Sequence, residues 1–219
     1  MRKDELSFRE WFYLYRSYWW NRLKYARLRR NLSGSVSFGE GCDIWADNFR
    51  YRGWGNVKVG KGTVVEVGTY PTIFDTEKGS EIILGRRVFL RGKYCSNVFT
   101  TFVNARIEIG DDCGFNGAII SAKQEVRLGK KVLLAWGVSI LDSDMHDLSN
   151  TRKERTRPVE VGDYVLMGNY VSVLPGVKIG SHCVIGANSV VTRDIPGHSI
   201  AAGAPAKVIG EVDDRDLAK

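Results

Sequence analysis

The sequence predicts an all-β domain, a parallel β-helix preceded by an N-terminal α-helical segment, and three observations carry that reading. From Val161 onward an apolar residue recurs every six positions: Val161, Met167, Val173, Ile179, Ile185 and Val191. Two positions before each next member stands a second small or branched residue, at Val165, Val171, Val177, Cys183, Ser189 and Ile195. Glycine follows four of the apolar positions, as Gly162, Gly168, Gly180 and Gly186. A six-residue period suits neither a helix nor an alternating strand. It suits a coil that turns a corner every six residues, the pattern of a hexapeptide β-helix.

Taken in chain order, residues 1–33 break the period. Phe8, Trp11, Phe12, Tyr15, Trp19 and Leu23 form a helical stripe, with Arg9, Arg16, Lys24 and Arg27 opposite. Residues 34–210 form the β-helix. The apolar–glycine pairs at Phe38, Val59, Leu84, Ile109, Leu128, Val161 and Ile179 place their glycines 21, 25, 25, 19, 33 and 18 residues apart. Three hexads make one triangular turn, so the early coils carry a few extra residues. The long step from Gly129 to Gly162 expels an external loop at about 142–158. Each coil exposes an apolar face that only a stacked neighbour can cover. The glycine after the apolar residue is expected to serve a tight corner that needs a positive φ. Residues 211–219 form a C-terminal tail.

Composition narrows the class. A hydrophobic content of 43% is that of a soluble protein. No apolar run approaches the roughly 20 residues that span a bilayer. The basic N-terminus lacks the apolar stretch and cleavage site of a signal peptide, which points to the cytoplasm. Between Met1 and Arg30, nine Lys or Arg face three acids, a surplus of six in a chain whose net charge is +7. Two readings of this helix stand. In one it packs on the prism or a neighbouring subunit with its basic face solvated. In the other it rests on anionic lipid at the inner face of the cytoplasmic membrane. No nucleic-acid-binding motif accompanies it. Cys42, Cys113 and Cys183 fall in the small inward slot of the hexad and read as buried free thiols.

There are three histidines. His182 and His198 are 16 residues apart, out of step with the 18-residue turn, and His146 lies in the expelled loop, so no convergent metal set is expected. The loop also carries Arg152, Lys153, Arg155 and Arg157 against Glu154, a basic surface suited to solvent or to an anionic acceptor.

The runs PVEVGDYVLMGN (158–169), VLPGVKIG (173–180), VIGANSVVTRDIPGHSI (184–200) and AGAPAKVIG (202–210) resemble the hexapeptide-repeat acyltransferases, in particular the bacterial polysaccharide O-acetyltransferases and the maltose/galactoside acetyltransferases. The likeness is strong over residues 105–210, looser over 35–105, and does not cover 1–33. It implies a left-handed β-helix, an exception to the usual right-handed crossover, assembled as a homotrimer with acetyl-CoA as co-substrate between neighbouring prisms.

The resemblance also implies site residues. His146, in the run ILDSDMH, takes the place of the family's catalytic base, and a sugar hydroxyl needs one because it is a poor nucleophile near neutral pH. Asp142 and Asp144 are candidates to fix its tautomer. Asn116 matches an asparagine that relatives use near the acceptor. Gly168, Asn169, Gly186 and Ala187 would line the pantetheine channel, and Thr192, Arg193 and Lys207 would meet the nucleotide end, the two cations at a phosphate. Leu166 stands where relatives often carry Trp. The implied activity is acetyl-CoA-dependent O-acetylation of a sugar or surface polysaccharide. The alternatives are N-acetylation of an amino sugar, and a non-catalytic β-helix scaffold.

Overall fold

The computed structural model describes residues 8–146 and 154–212, and over 8–16 the helix backbone alone. Arg2, Lys3, Arg152, Lys153 and the end of the tail lie outside the described residues. After the helix Phe8–Asn31, the chain winds through three parallel sheets in strict rotation. Sheet A runs from Val36–Phe38 to Lys178–Ile179 in seven strands, and sheet C from Phe49–Gly53 to Val190–Val191 in seven. Sheet B, from Asp43–Ile44, has nine, because an antiparallel hairpin of Ser199–Gly203 and Ala206–Glu211 closes it. Each strand pairs with the next of its own sheet, one turn later, so the architecture is a β-helix solenoid.

The six-residue period is the inward set. Val161, Met167, Val173, Ile179, Ile185 and Val191 are all buried, as are Val165, Val171, Val177, Cys183, Ser189 and Ile195. In the early coils the interior is filled by stacked rings that the period does not announce. Phe38, Phe49, Phe74, Phe99 and Phe115 form a column with successive centroids 5.0–5.5 Å apart. Fully burying each such side chain contributes about 1.5–3 kcal/mol. The thiols of Cys42, Cys113 and Cys183 occupy a common slot and donate to carbonyls one coil on, at Gly60, Gly129 and Pro196, at 3.2, 3.1 and 3.1 Å. Burial pushes Cys113 up to about 11, which suits a structural thiol rather than a nucleophile.

The glycines that follow the sheet A strands have a different cause from the one expected. None of Gly39, Gly60, Gly85, Gly110, Gly129, Gly162 or Gly180 has a positive φ. They are glycine because consecutive coils touch there. A Cβ on Gly110 would lie 2.4 Å from the carbonyl oxygen of Gly129, and one on Gly60 would lie 2.1 Å from that of Gly85. The left-handed residues form a parallel column two positions further on in most coils: Gly41, Gly62, Arg87, Asp112, Lys131, Tyr164, His182 and His198, with φ between 54° and 70°.

The helix docks on the N-terminal end of the solenoid. Asn21 is buried, donates through Nδ2 to the Ile44 carbonyl at 3.0 Å and accepts from the Ala46 amide at 2.9 Å. Tyr25 meets Phe38 edge-on at 5.5 Å, continuing the aromatic column, and Leu28 and Leu32 pack on the same core. Lys24 pairs with Asp47 at 2.6 Å.

The two kinds of tight position predict different penalties. Gly110→Ala is expected to lower unfolding free energy by at least about 2 kcal/mol, because backbone must move. Gly41→Ala, where φ is 68° and a Cβ would meet open space, is expected to cost only about 1 kcal/mol. Urea midpoints at unchanged m-value check both; equal penalties would refute the contact explanation.

Candidate active site

The chain leaves the regular path after the sheet C strand Ser139–Leu141 and rejoins it at the sheet A strand Val159–Val161. The base of this excursion is clamped. The Arg157 amide donates to the Asp142 carbonyl at 2.8 Å, and the Asp144 amide donates to the Arg155 carbonyl at 3.1 Å. Ser143 and Thr156 form an antiparallel bridge between them. Met145 then adopts a left-handed φ of 65° and donates its amide to Ser143 Oγ at 2.9 Å. That turn puts His146 on the outside, exposed, at the edge between sheets C and A.

An acid that sequence reasoning left among the loop charges turns out to neighbour the imidazole. Glu154 accepts from the Lys123 ammonium at 2.8 Å and from the Ser143 hydroxyl. These two bonds hold its carboxyl below the usual range, and the charges of Lys123 and His146 add to the effect. Lys123 also reaches the Met145 carbonyl at 3.4 Å and lies over the Phe102 ring. The only clue in the sequence was that Glu154 is the lone acid in a basic stretch.

The two aspartates have separate duties. Asp142 is fully buried and faces away from the loop tip. Its carboxylate accepts the amides of Lys123, Gln124 and Glu125 at 2.8, 2.7 and 2.8 Å. Burial pushes its carboxyl up, and the three amides pull it back. Of the two candidate aspartates, Asp142 has both oxygens engaged with the neighbouring coil and holds the root of the excursion. Asp144 accepts from Arg155 Nε at 3.3 Å.

The other predicted residues sort onto two edges of the prism. At the edge between sheets B and C, register stacks Asn116, Ala135, Gly168, Gly186 and Ala202. The amides of Asn116, Ala135, Gly168 and Gly186 donate to Leu134, Met167, Ile185 and Ala201 at 3.0, 3.1, 2.9 and 2.8 Å. The column is narrow: a Cβ on Gly168 would lie 2.7 Å from the Ala187 nitrogen, and one on Gly186 would lie 3.0 Å from the Ala202 Cβ. The Asn169 carbonyl accepts from the Asn188 amide at 2.8 Å. Lys207, exposed in the closing hairpin, pairs across from Ala202. At the head of the column, Asn116 Oδ1 is buried without a hydrogen-bond partner among the described residues. It lines a depression with Arg91, Leu133 and Leu166. Thr192 and Arg193, by contrast, follow the last sheet C strand and share the C–A edge with His146.

His182 and His198 lie on the third edge, between sheets A and B. The His182 ring stacks on Tyr164 at 4.8 Å and 9°, and the His198 ring stacks on His182 at 4.8 Å and 13°, so the two histidines stand in step on successive coils, contrary to the expectation from their 16-residue spacing. Parallel stacked rings do not converge their nitrogens on one ion.

A glycine-stacked solenoid of three parallel sheets is the architecture of hexapeptide-repeat proteins. The family model described as bacterial transferase hexapeptide (six repeats) matches residues 158–193. A Saccharomyces cerevisiae protein assigned to the acetyltransferases is 34% identical over 172 residues, 73% of this chain and 85% of that protein. Galactoside O-acetyltransferase of Escherichia coli K12 is 38% identical over 117 residues, 51% of this chain, so the chain matches only 57% of that enzyme's length. Among solved structures, the polysialic acid O-acetyltransferase OatWY superposes with a TM-score of 0.60 at 21% identity over 81% of this chain and 88% of that one, a likeness of fold. The chain belongs to the hexapeptide-repeat acetyltransferase family.

The geometry of Asp142 gives a stability prediction. Asp142→Ala leaves three amides of the 123–125 turn without their acceptor and is expected to cost about 2–4 kcal/mol. Urea denaturation measures it; a loss under about 0.5 kcal/mol would contradict the bracing role.

Proposed function

We propose that this chain is an acetyl-CoA-dependent O-acetyltransferase acting on a sugar or glycan hydroxyl, with His146 as general base. The observation that carries the reading is His146 itself, an exposed imidazole on a clamped excursion in a chain of this family. Acetyl-CoA supplies the activated acyl group. His146 accepts the acceptor's hydroxyl proton as its oxygen attacks, and later returns a proton to the departing sulfur.

The B–C edge fits the donor. A stripe of small residues at Ala135, Gly168, Gly186 and Ala202 admits a slender chain against backbone. Asn116 at its head has unused hydrogen-bonding capacity for a reacting group. Lys207 offers a cation to a phosphate there, and Arg193, on the C–A edge, would add one from a neighbouring copy. Leu166 lines the same depression and supplies an apolar wall where relatives often have an indole.

This column and His146 occupy different edges of one prism. A face of about five residues at about 3.3 Å each separates adjacent edges by on the order of 16 Å. A complete site then needs the B–C edge of one copy beside the C–A edge of another, which is the arrangement of a homotrimer. Leu133 and Leu166, outward on sheet B and 50% and 45% exposed, give such a contact apolar surface. Because the donor is a cytoplasmic metabolite, we assign the work to that compartment and to polysaccharide or glycan decoration there.

Two outcomes follow. His146→Ala is expected to lower kcat by about 10²–10⁴-fold while circular dichroism stays unchanged, because the side chain is exposed. Wild-type turnover by that variant would overturn the assignment. CoA at about 100 times its Kd is expected to stabilise the protein by about 2.7 kcal/mol in thermal unfolding, and an unmoved transition would argue for a scaffold.

A further inference from the structure

The N-terminal helix carries two faces, and the solenoid uses only one. Asn21, Tyr25, Leu28 and Leu32, spaced 4, 3 and 4 residues apart, face the prism. The described end of the aromatic stripe, Trp19 and Leu23, lies on the other face. At 100° per residue, Trp19 and Leu23 fall opposite the docking face. They are 47% and 64% exposed, and Tyr18 and Trp20 beside them are 52% and 56% exposed. A helix whose only task was to cap the solenoid would have no use for this second apolar face.

The flanks of the stripe are cationic. Arg22, Arg27, Arg29 and Arg30 are exposed and have no ion pair among the described residues, whereas Lys24 on the prism side is neutralised by Asp47. Arg22 lies over the rings of Tyr18 and Trp19, at 5.9 and 5.4 Å. A shallow groove along the same side is lined by Trp19, Arg22, Leu23, Ala26, Arg29 and Arg30.

We propose that this face is a second binding site and that its occupant is the surface of an anionic membrane. The chemistry selects that partner. Indole and phenol rings settle at headgroup depth, where one end is apolar and the other wet. Guanidinium groups beside them pair with lipid phosphates. A second copy of this chain fits poorly, since the same face on two copies would bring arginine against arginine. The helix is too charged to cross: no described helix is long and apolar enough to span a membrane. It lies in the interface plane, and the prism stands away from it through the Asn21–Tyr25–Leu28 contact. This placement is independent of the acetyl-transfer reading, although it would suit an acceptor carried on a lipid.

The test uses the full chain with vesicles of phosphatidylcholine alone and of phosphatidylcholine with 30 mol% phosphatidylglycerol, separated by sedimentation. Binding is expected on the anionic vesicles only, falling as salt rises. The double variant Trp19→Ser/Leu23→Ser and the charge variant Arg27→Gln/Arg30→Gln should each weaken it by about tenfold or more. Both leave the Asn21, Tyr25 and Leu28 contacts in place, and unchanged thermal unfolding verifies that the fold is intact. Equal sedimentation of wild type and variants, or no preference for the anionic vesicles, would overturn the proposal. So would lipid-free light scattering in which the wild type forms an assembly that Trp19→Ser/Leu23→Ser breaks apart, because the face would then join copies of the chain.

Discussion

Everything in this molecule depends on one constraint, the requirement that each coil return to lie one parallel hydrogen-bond spacing, about 4.8 Å, from the last. That spacing leaves no room for a side chain where coils touch between sheets A and B, and the stacked glycines are the consequence. It also demands that each turn reverse direction sharply, which the left-handed column from Gly41 to His198 accomplishes. Residues that do not fit the circuit have only one place to go, outward at an edge. The solenoid therefore converts surplus chain into external loops without disturbing the core.

The excursion that presents His146 shows how such a loop is kept from being loose. A buried carboxylate, Asp142, holds its root to the 123–125 turn, and a short antiparallel ladder closes it above. Glu154, Lys123 and Ser143 form a polar cluster at the base of the excursion. Part of the cluster beside the excursion is thus supplied from another coil, through Lys123. Rigid placement of a reacting group on an otherwise repetitive scaffold is what allows one fold to serve many acceptors.

The regular half of the chain was legible because its period has a single physical cause. An inward position between two stacked neighbours must be apolar or small, and from Val161 to Val191 the sequence obeys that at every step. Upstream, extra residues in each turn blur the period, so the phenylalanine column is visible only once the coils are superposed. The glycines were located correctly and explained wrongly, since sequence does not reveal close approach between coils. The placement of His146 outside the coils was legible from the long step between Gly129 and Gly162. Glu154 was not singled out, because its closeness to the imidazole is created by the return of the loop. The docking face of the helix was missed because its anchor, Asn21, is polar, and the aromatic stripe nearby made a stronger pattern. Of that stripe, Trp19 and Leu23 proved to lie on the face the prism leaves uncovered.

On the proposed reading, His146 and the donor column stand on different edges of one prism, so that catalysis needs two chains. Subunit mixing tests it directly. His146→Ala removes the base, and Ala187→Trp, at an exposed position, plugs the column. Each homogeneous variant should be inactive in acetyl transfer from acetyl-CoA to a sugar acceptor. Co-assembled from denaturant, the mixture should regain activity above both parents, because some sites then combine an intact base with an intact column. A mixture no more active than its components would contradict the account and place the whole site within one chain.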